Sequence, residues 1–130
     1  NISGDLIFAY PLLSDQKWEF NLNKFNDLNI NHLSTYSMTL EPKTAYALRV
    51  NKGLDLAPPE TKSEIQFKFL MDFLEANNWD HYEISNSCKN NQIASHNSSY
   101  WKGEDYLGIG PSAHSFIHGI RSSNIANNSL

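Results

Sequence analysis

The chain has 130 residues, 40 % of them hydrophobic, which is enough for one folded domain with a real core and too much for a disordered segment. Ten Lys and Arg against fourteen Asp and Glu leave a net charge of -4, so no basic face for nucleic acid is expected. No apolar run approaches the length of a membrane span, and the single Cys88 excludes an internal disulfide framework and any cluster held by several of the chain's own thiolates. A lone thiol suits a reducing, cytoplasmic setting.

The opening "NISGDLIFAYP" lacks a positive segment followed by an apolar one, so no secretory leader is expected. It also lacks an initiator Met and reads at once as a strand, which suggests a piece of a longer protein. "DLIFAYP" is a short apolar run closed by Pro11, the pattern of a strand buried on both faces as in a parallel sheet. A helix follows, capped by Ser14 and with Asp15 and Glu19 near its start; Trp18, Leu22, Phe25 and Leu28 recur at spacings of four and three and share a face. "HLSTYSMTL" is the next strand, so the order is β-α-β with parallel strands expected.

Residues 43–51 have room for one or two helical turns before Gly53 and Pro58-Pro59 break the chain. Thr61 and Glu64 have the spacing of a capping box for a second long helix, whose apolar stripe reads Ile65, Phe69, Leu70, Phe73 and Leu74 and which ends at Asn77-Asn78. "DHYEISNSC" is a third strand and "KNNQIASHNSS" a polar loop. A glycine-rich turn and a strand around 116–120 complete the reading. This is α/β organisation, part of a barrel or an open sheet, in which ligands gather at the carboxyl ends of the strands. Tyr10 and Pro11, residues 39–42 and residues 85–87 are then the positions to watch.

Several residues are candidates for chemistry. His96 and His114 are possible ligands for a metal or heme iron, but they match no zinc spacing; the alternative is that each is hydrogen-bonded at a strand end. Tyr100 and Trp101 can stack on a flat ligand or simply pack in the core. "GIGPSAH" has two glycines of a dinucleotide fingerprint but not the third, and no helix follows; Gly108 and Gly110 are better read as a close backbone approach or a positive φ. Asp5 opens an otherwise apolar strand, so it is paired, in contact with a ligand, or outside the core. Glu41 follows a strand, either among ligand contacts or as a solvated loop acid. Cys88 has no evident partner to make it a nucleophile.

Taken together, "DLIFAYP", "LSTYSMTLEPKT", "HYEISN", "HNSSYW" and "DYLGIGPSAHSF", in that order, resemble the later half of the radical SAM domain in the oxygen-independent coproporphyrinogen III oxidase-like family. The resemblance runs from residue 1 to about residue 124, and "HNSSYW" with "HYEISN" points to its heme-chaperone branch rather than to the true oxidases. It implies part of a TIM-like (β/α) barrel, its last strands and the β region after them, with residues 1–130 a fragment of one domain. The family's CxxxCxxC loop, whose thiolates hold a 4Fe-4S cluster next to S-adenosylmethionine, is not among these residues, so the fragment alone is expected to hold no cluster and to be catalytically inactive.

By position, the resemblance implies contacts to S-adenosylmethionine from Asp5, Ile7 and Thr39. Glu41 falls in the family's Glu-Pro pair with no assigned role. The resemblance further implies heme at His96, with His96 as the iron ligand and Tyr100 and Trp101 against the macrocycle. The implied partners are heme or a porphyrin and membrane-bound heme acceptors, and an incomplete sheet predicts that the isolated fragment oligomerises. Ala9 stands where the family carries Gly, Leu12-Leu13-Ser14 where Gly-Gln-Thr is usual, and Pro111 where Gly or Ala is common.

Overall fold

The computed structural model describes residues 2–127. They form two compact units that divide between Ile93 and Ala94, and each is described by itself.

The first unit is built on a four-stranded sheet. β1 (Gly4–Phe8) leads into α1 (Asp15–Asn26) and returns as β2 (His32–Ser37), parallel to β1 with Gly4 beside Leu33 and Phe8 beside Ser37. Ser14 caps α1 as expected, its hydroxyl accepting the Lys17 N–H at 3.2 Å. Trp18, Leu22 and Phe25 face inward, but Leu28 lies past the end of the helix and is exposed. The short helix α2 (Ala45–Asn51) forms within residues 43–51, capped by Thr44.

The long helix α3 (Glu60–Ala76) departs from its predicted start and stripe. The Pro59 carbonyl accepts from the N–H groups of Lys62 and Ser63, so the helix starts ahead of Thr61, which lies within its first turn and cannot cap it. The buried face is Gln66, Leu70, Phe73 and Leu74, with Ile65 and Phe69 turned outward. The sequence stripe is thus rotated, because its first inward position is taken by a polar residue. The helix ends at Asn77, and Asn78 adopts a left-handed φ of 56°.

The third strand is in fact a hairpin. β3 (Asp80–Glu83) turns at residues 84–85 into β4 (Asn86–Cys88), and the sheet order is β1-β2-β4-β3. β4 runs antiparallel to both neighbours, so the sheet is parallel only between β1 and β2. Ser85 is therefore a turn residue whose carbonyl accepts the Thr35 N–H at 2.7 Å, while Asn86 and Ser87 lie inside a strand rather than after one.

The core lies on one face of this sheet. Phe8 and Leu33, with Leu6 partly buried beside them, meet Trp18, Leu22, Phe25, Leu70, Phe73 and Leu74. The expectation that β1 is buried on both faces does not hold: strand alternation sends Asp5 and Ile7 to the face away from α1 and α3, and Ile7 is 55 % exposed.

The second unit contains a helix where a loop was expected. α4 (Ser95–Lys102) ends on Gly103, whose φ of 67° is the left-handed conformation that closes helices at a glycine. After it come β5 (His114–Ile117) and β6 (Ile120–Ser123), paired as an antiparallel hairpin. The glycines between them and α4 act as the sequence indicates. A side chain on Gly108 would overlap the backbone of His114, and Gly110 holds a φ of 107°. The Asn124 amide donates to the carbonyls of both glycines, and the Ser115 hydroxyl accepts the Gly108 N–H. The turn is held by internal hydrogen bonds, with Gly108 serving a close backbone approach and Gly110 a positive φ.

Candidate functional site

Two places carry the predicted site residues, one in each unit. In the first unit, β1 presents Asp5 and Ile7 on its uncovered face, two positions apart and hence side by side. Thr39 lies just past the carboxyl end of β2, next to β1, because the Met38 N–H donates to the Phe8 carbonyl at 2.8 Å. Its hydroxyl donates to the Glu41 carboxylate at 3.2 Å, so Glu41 has a local partner. A cleft of about 500 Å³ opens at the carboxyl ends of β1 and β2, lined by Tyr10, Pro11, Leu12, Met38, Tyr46 and Leu56. A ligand-sized space at that end of the strands is where α/β sheets bind their ligands.

The turn that forms one wall of this cleft is fixed from below. Ala9 is fully buried with φ at 61°, a conformation that costs a non-glycine residue about 1–2 kcal/mol. It is held there by Gln66. The Gln66 Oε1 accepts the Ala9 N–H at 2.8 Å, and its Nε2 donates to the Leu13 carbonyl at 3.3 Å and to Asp15 at 2.9 Å. Its own carbonyl accepts the Trp18 indole N–H, and Lys62 donates to the carbonyls of Pro11 and Leu13. The sequence reading missed Gln66 because a glutamine on a helix reads as a surface residue.

At the other end of the sheet, His32 is buried on β2. The Ser3 hydroxyl lies 2.6 Å from its Nδ1 and the Tyr82 hydroxyl 2.7 Å from its Nε2. Burial lowers its pKa; Asp5 and, less, Glu83 pull the other way. Cys88 is also buried, and burial pushes its thiol up, away from nucleophilic use. One buried thiol cannot stand in for the three a cluster needs, and no group of three or more His, Cys, Asp or Glu able to hold a metal ion occurs among the described residues.

In the second unit, α4 brings His96 and Tyr100 together and leaves Trp101 apart. His96 and Tyr100 are four residues apart on one helix face, with the hydroxyl 3.3 Å from Nε2 and the rings edge-on at 5.2 Å. Tyr100 meets Tyr106 edge-on at 4.9 Å, and Tyr106 stacks on Phe116 at 6.2 Å. The result is a ladder of four rings, His96–Tyr100–Tyr106–Phe116, anchored where Tyr106 and Phe116 exchange backbone hydrogen bonds at 2.7 and 2.9 Å. Trp101 points elsewhere, 69 % exposed. Neither Tyr100 nor Trp101 is a core residue. His114 is exposed at the start of β5, where its backbone packs on Gly108.

The fold is that of a radical SAM protein. The chain superposes on the structure of coproporphyrinogen III oxidase (HemN) from Escherichia coli, described as a radical SAM enzyme, with a TM-score of 0.74 and 20 % identity over 98 % of this chain and 32 % of that one. In sequence it is 36 % identical over 125 residues to the heme chaperone HemW of Lactococcus lactis, and equally to that of Bacillus subtilis, covering 96 % of this chain and 33 % of each relative. It is 34 % identical over 113 residues to the zebrafish (Danio rerio) mitochondrial radical S-adenosyl methionine domain-containing protein 1, covering 87 % and 26 %. These matches support the HemW- and HemN-like family of radical SAM proteins for this chain. It spans about a third of the length of the curated relatives it matches. No family model matches it. Among the described residues, no helix is long and apolar enough to cross a membrane.

Proposed function

We propose that the chain is a fragment of a radical SAM-family heme chaperone, which binds heme and delivers it to membrane-bound acceptor proteins from the cytoplasm. The observation that carries this reading is the ring ladder on α4, which ends in an exposed imidazole. Neutral imidazole is a ligand for heme iron, and His96 is the proposed ligand. The exposed faces of Tyr100 and Trp101 offer apolar, flat surface to a macrocycle.

Asp5, Ile7 and Thr39 are the proposed contacts to S-adenosylmethionine. A carboxylate there accepts hydrogen bonds from hydroxyl or amino groups, and an exposed Ile7 beside it suits an aromatic base. The 4Fe-4S cluster belongs to thiolates outside these 130 residues. Residues 1–130 are in this reading the later half of one radical SAM domain. The outer edge of β1, unpaired among the described residues, lets the isolated chain pair with a second copy. Sedimentation as a monomer at all concentrations would count against that pairing.

The central test is a titration with hemin followed at the Soret band. His96→Ala is expected to weaken binding at least tenfold and to change the band; the same spectrum and affinity in the variant would remove His96 from the site. The likeness in fold to HemN favours a second reading, radical oxidative decarboxylation of coproporphyrinogen. An anaerobic assay of the full-length protein with substrate and S-adenosylmethionine separates the two: turnover would establish the oxidase, and none, beside an active control, would exclude it.

A further inference from the structure

We propose that Tyr100 is the positioning residue of His96: its hydroxyl holds Nε2 of the imidazole and leaves Nδ1 as the nitrogen open to iron. The inference rests on the heme reading above and adds which atom binds and what aims it.

The geometry is specific. The Tyr100 hydroxyl and His96 Nε2 are 3.3 Å apart, and the four-residue spacing on α4 stacks the two side chains on one face. Tyr100 is not free to swing away without loss, because its ring is set edge-on against Tyr106 at 4.9 Å and 74°. Tyr106 is in turn fixed to Phe116 by two backbone hydrogen bonds. The hydroxyl is thus held by the β5 side of the unit, and the imidazole is oriented by the hydroxyl. A neutral imidazole has one protonated and one lone-pair nitrogen, and the hydrogen bond made by one decides which is free for a metal. In the proposed arrangement Nε2–H donates to the phenol oxygen, so the lone pair is at Nδ1; the reverse bond, phenol O–H to Nε2, would put the ring proton on Nδ1. A hydrogen bond to the second ring nitrogen also fixes ring orientation, as outer partners of metal-bound histidines do.

The test uses Tyr100→Phe, which keeps the ring and its packing and removes only the hydroxyl. In the heme-free chain at pH 8, nitrogen-15 NMR of His96 should show the Nε2-protonated tautomer alone, and both tautomers in the variant; an Nδ1-protonated ring in the unaltered chain would overturn the proposal. Hemin affinity should fall about three- to tenfold, the size of one lost hydrogen bond. Tighter binding by the variant would show that the hydroxyl competes with iron for Nε2 and would overturn the proposal. Unchanged nitrogen shifts would overturn it too, whatever hemin does. His96→Ala separates the two layers. If it leaves the Soret band intact, the heme reading falls, while the NMR experiment still reports whether Tyr100 orients His96.

Discussion

Gln66→Leu is expected to destabilise the first unit by about 2 kcal/mol, more than its neutral, similarly sized side chain suggests. Gln66 is fully buried, and its amide makes three hydrogen bonds, two to the turn after β1 and one to Asp15 at the start of α1. Not all are equally dear. Asp15 is exposed and can turn to water, and the Leu13 carbonyl keeps Lys62 as a donor. The Ala9 N–H has no such recourse, because Ala9 is completely buried. Leaving one buried donor without an acceptor costs about 1–3 kcal/mol, and extra apolar contact by leucine offsets part of it. Ala9 is also the residue held at a positive φ, so the bond that is lost is the one that keeps the strained turn in place.

Gln66→Glu is expected to be worse at neutral pH. One carboxylate oxygen can still accept from Ala9, but the other would face the Leu13 carbonyl and the Asp15 carboxylate with no proton to donate. Burial and a neighbouring negative charge raise a carboxyl pKa, so the introduced group would fold best when protonated. The stability lost at neutral pH should then return as the pH falls toward the acid range. Urea denaturation of both variants at pH 7 and pH 5 reads this out. Equal stability of Gln66→Leu and the unaltered chain would show that the turn does not depend on Gln66.

Much of the fold was legible because its signals are local. Ser14 ahead of an apolar period marks a helix start whatever surrounds it, and the β-α-β order follows from the switch of period between residues 5 and 37. Gly108 and Gly110 were readable because a close backbone approach at the first and a positive φ at the second leave few alternatives to glycine. The misses are where the deciding interaction is distant in sequence. The turn between β3 and β4 runs through Glu83, Ile84, Ser85 and Asn86, with no glycine or proline to mark it, so one apolar stretch hid a hairpin. β4 slots between β2 and β3 by pairing with β2, a choice made by residues as far apart in the chain as His32 and Cys88. In α4, Asn and Ser are weak helix formers and no side chain caps the start; the Gly103 stop and the spacing of His96 and Tyr100 were the available cues.

The candidate site residues were picked in a different way. His96, Tyr100 and Trp101 were candidates by residue type and were joined by resemblance, but only the folded unit separates them into a hydrogen-bonded pair and an exposed indole. Neither Gln66 nor His32 has a sequence signal that distinguishes it from a surface residue. A buried polar group is visible only when its partners are known, and Ala9 and Tyr82 are remote from theirs along the chain.

His32 gives the second large effect, and its sign follows from burial. The imidazole bridges Ser3, ahead of β1, and Tyr82 on β3, reaching past β4 on the way. Its ring also meets that of Tyr82 at 5.9 Å. Burial disfavours the charged form more than Asp5 on β1 and Glu83 on β3 favour it, so the folded pKa lies below the ordinary 6.5. Above 6.5 both folded and unfolded His32 are neutral, and the contribution to stability is complete. Below it the unfolded chain takes up a proton that the folded one resists, and stability is lost as the pH falls toward the folded pKa. Denaturation midpoints should therefore decline from pH 7.5 to 5.5. His32→Gln should flatten that decline. His32→Ala should cost about 2–3 kcal/mol at pH 7.5, from a cavity and two lost hydrogen bonds. Tyr82→Phe, which removes one of the two bonds and keeps the ring, should cost about 1 kcal/mol. A pH slope that persists unchanged in His32→Gln would place the titrating group elsewhere and leave His32 a packing residue only.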